Sequence, residues 1–74
     1  MEEIIHSKTF YTPTGRKRVV EVRQNSWGNH YRVVKWNFSK NKKSLIYAWS
    51  SYDSGYNFSS KKAAIKKANL LARK

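Results

Sequence analysis

The chain has 74 residues, of which sixteen are Lys or Arg and four are Asp or Glu, so that its formal net charge is +12. This length allows one domain with one modest hydrophobic core. Because the sequence contains no Cys, disulfides and cysteine-ligated zinc are excluded. No stretch approaches the roughly 18 apolar residues that a membrane span requires, so we expect neither a span nor a signal peptide, and we expect a reducing cytoplasm as the location.

The first part of the sequence predicts two strands that are separated by turns. Residues 4–11 form a candidate strand, and residues 12–15 follow with a Pro and a Gly, which are typical of a turn. Residues 17–24 are rich in β-branched valine and predict a second strand. Residues 25–29 contain Asn, Ser and Gly, and they predict the next turn.

The middle of the sequence predicts a second pair of strands. Residues 30–39 carry the strongest strand pattern, because aromatic and β-branched side chains recur along them. Residues 40–43 predict a polar turn, and residues 44–51 predict a fourth strand. The short separations between these segments favour an antiparallel meander.

The apolar period changes after residue 58 and predicts one C-terminal helix over residues 59–73. Ser59 or Ser60 is expected to cap it, and apolar residues then recur at helical spacing. We therefore predict an α+β fold, in which a three- to four-stranded antiparallel meander sheet packs on this helix. An N-terminal strand and turn take up residues 1–16, and the rest of the sheet takes up residues 17–52. The apolar helix positions are Ala64, Ile65, Ala68, Leu71 and Ala72.

One helix can cover only one face of the sheet, so the other face is predicted to be open. We expect Val20 and Val22 to point toward the helix, together with the most apolar alternating set of the third strand, which is Val34, Trp36 and Phe38. In the fourth strand, Ile46 and Ala48 are expected to point the same way. A single bulge in any strand would invert this assignment. The predicted open face then carries Arg23, Tyr31, Lys35, Tyr47 and Trp49, with Trp27 at its rim.

The positive charge and this aromatic, basic face together favour a polyanionic partner. Basic groups hold phosphates and release counterions, and aromatic rings stack on bases. We predict one nucleic-acid-binding domain over residues 1–74. Base or stacking contacts are expected from Arg23, Trp27, Tyr31, Lys35, Tyr47 and Trp49, and phosphate contacts from Lys17, Arg18, Arg32, Lys40, Lys42 and Lys43. The alternative for the aromatic residues is that they fill the core, which Trp36 and Phe38 fit best.

Two short segments resemble known DNA-binding domains. The segment Val22-Arg23-Gln24-Asn25-Ser26-Trp27-Gly28 resembles the first strand and turn of plant ethylene-response-factor domains. The segment Phe58-Ser59-Ser60-Lys61-Lys62-Ala63-Ala64 is similar to the start of that family's helix, and also to the arm-type N-terminal domains of phage tyrosine integrases. The resemblance covers about residues 17–74.

The resemblance implies that the sheet, and not the helix, enters the major groove of duplex DNA. The resemblance aligns Arg23 and Trp27 with DNA-contacting positions of the family. Lys35 lies near a basic contact position if the strands align without a gap. Val20, Asn25 and Val33 stand where the family has polar contact residues, so its base specificity does not carry over.

Enzyme activity is not expected from this composition. The four acidic residues lie in different predicted elements, the two His residues are not at ligand spacing, and the three Gly residues punctuate turns. We therefore expect no cofactor, no metal and no membrane partner. The leading interpretation is a small basic protein that binds double-stranded DNA, nucleoid-associated or, if viral, in the host cytoplasm. Three alternatives remain: binding of single-stranded DNA or RNA, a phage-type inhibitor or adaptor that binds an acidic protein surface, and contact of the helix with duplex phosphates. The last would use Lys62, Lys66 and Arg73, but an ordinary solvated helix face is the preferred explanation for these charges.

Overall fold

Four antiparallel strands are followed by one helix. The computed structural model describes residues 2–40 and 46–73, with Lys40 and Ile46 described by their backbone alone. The strands are β1 (Glu3–Tyr11), β2 (Lys17–Gln24), β3 (Tyr31–Lys40) and β4 (Ile46–Asp53), and the helix is α1 (Lys61–Ala72). They form one sheet in the order β1-β2-β3-β4. The predicted α+β class, with a meander sheet packed on a C-terminal helix, is confirmed. The predicted turn at 40–43 and the first residues of the predicted fourth strand lie largely outside the described residues.

The turn between β2 and β3 sets the register of the central strand pair. Gly28 has a φ of +76°, which an L side chain rarely adopts. Its N–H donates a hydrogen bond to the carbonyl oxygen of Asn25 at 3.0 Å, and the Asn25 N–H donates to the carbonyl oxygen of His30, also at 3.0 Å. The closed turn places Gln24 opposite Tyr31 and, two residues further, Val22 opposite Val33.

The core is built from small side chains. Val20, Val22 and Val33 pack against Ala64 and Ala68 of α1, and all five are fully buried. Ala has no side chain beyond Cβ, so the helix approaches the sheet closely, and the β-branched valines fill the remaining space. Partly buried residues, most of them larger, pack around the edge of this core: Ile5, Phe10, Tyr31, Tyr52, Phe58, Ile65, Leu71 and Ala72.

The predicted face assignment is correct for β2 and wrong for β3. Val33 joins the core cluster with Val22, its partner in the register. Alternation along β3 then places Val34, Trp36 and Phe38 on the opposite face, away from α1. The prediction assumed that the most apolar set must face the helix. The thin Val and Ala core leaves no room there for a Trp ring, and the large side chains cover the other face of the sheet instead.

The face assignment of β4 is wrong in the same sense. A register shift between Lys35 and Trp36 leaves Ser51 without a partner, so that Lys35 pairs with Tyr52 while Trp36 pairs with Ser50. Ala48 lies opposite Phe38 and shares its face. Tyr47 and Trp49 therefore lie on the face that α1 covers in part, and they do not lie on the open face.

The helix begins where the sequence predicts, although not through the predicted cap. Ser60 occupies the N-cap position in an extended conformation, but its side chain makes no capping hydrogen bond. The segment before it is fixed by the backbone, since Tyr31 and Phe58 exchange hydrogen bonds of 2.7 and 3.3 Å in an isolated antiparallel bridge. This bridge, and not the serine side chain, positions the first turn of α1.

Candidate nucleic-acid interface

The molecule presents two surfaces of different charge. We call the sheet face opposite α1 the open face, and we call α1 together with the sheet face under it the helix side. In an antiparallel sheet, paired residues share a face and neighbours along a strand alternate. The register therefore assigns each described side chain of the strands to one surface.

On the open face, Arg23 is held by two carboxylates. Its Nη1 lies 2.7 Å from Oε1 of Glu2, and its Nη2 lies 2.9 Å from Oε1 of Glu21. Trp36 donates its indole N–H to the same Glu21 oxygen at 2.6 Å. The guanidinium is thus engaged on two sides within the chain, and these partners would have to be displaced before it could contact a base.

Arg32 lies beside Arg23 in the register and is also paired. It binds Asp53 through two hydrogen bonds, of 2.9 Å from Nε and 2.5 Å from Nη2, and its Nη1 lies 3.2 Å from Glu2. The Tyr56 hydroxyl donates to Glu2 as well. Glu2 therefore joins two arginines and a tyrosine that come from β2, β3 and the segment before α1.

The carboxylates in this cluster are acidified by their partners. Hydrogen bonds from Arg32, and then from the backbone N–H of Gly55, lower the pKa of Asp53 to about 2. Partial burial alone would raise the pKa of Glu2, but hydrogen bonds from Tyr56, Arg23 and Arg32 outweigh it and lower that pKa below its ordinary value. Both groups are ionised at neutral pH, and together with Glu21 they place three carboxyl groups around two guanidinium groups.

The rest of the open face is largely apolar. Val19, Trp36, Phe38 and Ala48 line a shallow depression next to the ion-pair cluster. The Nζ of Lys17 lies 5.1 Å from the centre of the Phe38 ring, which is within cation–π range. Among the described side chains, the open face is therefore close to electrically neutral, in contrast to the prediction of a strongly basic surface.

The helix side holds most of the described positive charge. Lys8 and Lys35 both pair with Val20 and share its face, and Arg18 follows two residues before Val20 on the same strand. Among the described residues, Glu3 is the acidic residue that the register assigns to this side. The helix itself adds Lys61, Lys62, Lys66 and Lys67, with Arg73 at its C-cap.

Two aromatic residues extend this surface beyond the helix. Trp49 pairs with Asn37 and Tyr47 pairs with Ser39, so both lie on the helix side of β4. They are 46% and 54% exposed. We call this pair the aromatic shelf. Tyr52, the next aromatic residue along β4 on the same face, has the Nζ of Lys67 5.3 Å from its ring centre.

The predicted base-contacting residues do not form one surface. Arg23 lies on the open face, whereas Tyr31, Lys35 and the aromatic shelf lie on the helix side. Tyr31 is partly buried against the core, and the Nζ of Lys35 lies 5.9 Å from the centre of the Phe10 ring. Trp27 lies in the turn between β2 and β3, outside both sheet faces, with 86% of its surface exposed.

The predicted phosphate-binding residues are divided in a similar way. Lys17 and Arg32 lie on the open face, and Arg18 lies on the helix side. Lys42 and Lys43 are outside the described residues, and so is the side chain of Lys40. The predicted contacts of all these residues with nucleic acid stay predictions, and the register divides the described ones between the two surfaces.

Sequence reasoning missed the acidic half of the cluster. Glu21 and Arg23 are two residues apart on one strand and therefore lie on the same face, so their contact could have been predicted from the alternation of side chains. Glu2 precedes β1 and reaches across two strands, and Asp53 and Tyr56 approach only after the chain has turned back. No local pattern in the sequence indicates those contacts.

Comparisons with known proteins identify no relative. No family model matches the chain, and neither the curated proteins nor the solved structures contain a match. In the part of the chain that the structure describes, no helix is long and apolar enough to cross a membrane. Nor do three His, Cys, Asp or Glu side chains gather there as a metal site would require.

Proposed function

We propose that this protein binds nucleic acid through its helix side, with double-stranded DNA as the partner. The observation that carries the proposal is the segregation of charge. The arginines Arg23 and Arg32 of the open face are paired with Glu2, Glu21 and Asp53. Among the described acidic residues, Glu3 is the one that shares the helix side with its cations.

An excess of cations on one surface raises their mutual repulsion, and a polyphosphate relieves that repulsion. Each Lys or Arg placed near a phosphate also releases condensed counterions. The 12 residues of α1 make a rod about 18 Å long, which is comparable with the rise of about five nucleotides along one DNA strand. Its exposed lysines can therefore follow several phosphates.

The helix side replaces the open face as the favoured contact surface. A duplex on the open face would meet the apolar depression and an ion-pair cluster whose arginines are already engaged. Contact through the helix side instead leaves the Glu2 cluster intact. The resemblance to sheet-reading DNA-binding domains points to the other surface, and the charge distribution is our reason for departing from it.

Affinities for duplex DNA, single-stranded DNA and RNA at two salt concentrations test this proposal. We expect binding of duplex DNA that weakens steeply as salt rises, because about 0.9 counterions are released per phosphate contact. Absence of binding, or an affinity independent of salt, would contradict the proposal. A pull-down with and without nuclease addresses the adaptor alternative, since protein partners that survive nuclease treatment would support it.

A further inference from the structure

The aromatic shelf has a place in the sheet that α1 leaves open to solvent. The helix packs across β1, β2 and β3, whereas Tyr47 and Trp49 lie on the same side of β4 at the end of the sheet nearest the loop between β3 and β4. Same-face neighbours along a strand are about 7 Å apart. The two rings are therefore neighbours on one exposed surface.

Positive charge stands beside the shelf. Arg18 pairs with Asn37, and Asn37 pairs with Trp49, so that the three residues form one row across the sheet. Strands are about 4.8 Å apart, which places the backbones of Arg18 and Trp49 about 10 Å from each other. On the other side, Lys67 lies over Tyr52, the next aromatic toward the helix.

This arrangement differs from that of the other strongly exposed tryptophan. Trp27 is more exposed than Trp49, but the turn that holds it, residues 25–30, contains no Lys or Arg. Exposure alone therefore does not distinguish the shelf. Its distinguishing feature is the combination of accessible rings with a cation on each side, Arg18 across the sheet and Lys67 toward the helix.

From this geometry we propose that the aromatic shelf stacks an unpaired nucleobase while the lysines of α1 hold duplex phosphates. The inference rests on the proposed function and narrows its ligand to duplex DNA with a single-stranded extension. In a duplex the base faces are already stacked on one another, and an exposed ring can pair only with a base that has left the stack. The duplex and the extension would meet near Lys67 and Tyr52.

The test uses three DNA ligands: a blunt duplex, the same duplex with a short single-stranded overhang, and the overhang strand alone. Stacking of one base changes affinity by about fivefold to a hundredfold. We expect the wild-type protein to prefer the overhang duplex over the blunt duplex by at least about fivefold. Trp49→Ala should remove this preference without weakening binding of the blunt duplex, and Trp49→Phe should keep it.

Two further variants make the result decisive. Tyr47→Ala removes the other half of the shelf and should reduce the preference as well. Trp27→Ala is the matched control, because it deletes an exposed Trp ring far from the shelf and should leave the preference unchanged. Circular dichroism establishes that each variant is folded.

The outcomes separate the two proposals. Blunt-duplex binding without any overhang preference, or a preference that survives both shelf variants, overturns the shelf inference and leaves the proposed function standing. Failure of the wild-type protein to bind any of the three ligands overturns the proposed function itself.

Discussion

Arg23 illustrates how one side chain acquires its role from partners that are remote in the sequence. If only its own strand is considered, Arg23 is a cation two residues from Glu21 on the same face of the sheet. With Glu2 in place it becomes the centre of a hydrogen-bonded cluster, and only a quarter of its side chain stays exposed. A charged hydrogen bond in such a setting is a structural interaction, because removal of one partner leaves the other incompletely solvated.

We expect Arg23→Ala to lower the free energy of unfolding by about 1–2 kcal/mol, since Glu2 and Glu21 each lose a charged hydrogen bond. Affinity for duplex DNA should change little. Lys17→Ala is a suitable control, because Lys17 is exposed on the same face. Denaturant titration and a binding assay on both variants provide the measurements. A large loss of DNA affinity with unchanged stability would instead support the DNA-contacting role of Arg23 that the resemblance implies.

Acid should weaken the fold through the same cluster. The pKa of Asp53 is about 2 in the folded protein and 3.8 for an unperturbed group, so the folded state binds the proton less readily than the unfolded state. The resulting stabilisation is complete above about pH 4 and is lost as the pH falls toward 2. The melting temperature of the wild-type protein should drop across this interval, and the melting temperature of Asp53→Asn should drop less steeply. Parallel curves of melting temperature against pH for the two proteins would show that the Asp53 carboxylate is not the source of the acid sensitivity.

At the scale of elements, strand order and helix position were predictable because both depend on local patterns. The turns at Gly15 and Gly28 and the valines of β2 specify the first three strands. Hydrophobicity did not predict which side chains of β3 face the helix. Alternation divides the strand into two sets of side chains, and the register set by the turn at Asn25 determines which set faces α1. The core accepts Val33 because the helix offers Ala64 and Ala68, and it has no space for Trp36.

The closeness of this contact gives a prediction for α1. Ala68→Leu adds a bulky side chain where the helix meets Val20, Val22 and Val33, and it should lower the free energy of unfolding by about 1–3 kcal/mol. Ala63→Leu makes the same change at an exposed helix position and should be nearly neutral. Thermal melts of both variants, followed by circular dichroism, provide the comparison. Equal effects of the two substitutions would contradict close packing at Ala68.

At the scale of the whole molecule, the sequence predicts the amount of charge but not its distribution. The net charge of +12 is read directly from composition. The distribution depends on which strand faces α1 and on the reach of Glu2, and neither is a local property. The candidate interface was therefore predictable in kind, as a basic and aromatic surface. Its location was not, and in the described part of the chain the aromatic shelf is where the predicted chemistry meets the helix-side charge.

Charge reversal on the two surfaces tests the central claim most directly. Lys66→Glu on α1 and Lys17→Glu on the open face change the net charge equally, and both side chains are exposed. Duplex affinity should be measured for both variants across a salt series. If the helix side binds phosphates, Lys66→Glu lowers the affinity and reduces the slope of log affinity against log salt by about 0.9 per lost contact, while Lys17→Glu has a much smaller effect. Equal effects, or a larger loss for Lys17→Glu, would contradict the claim.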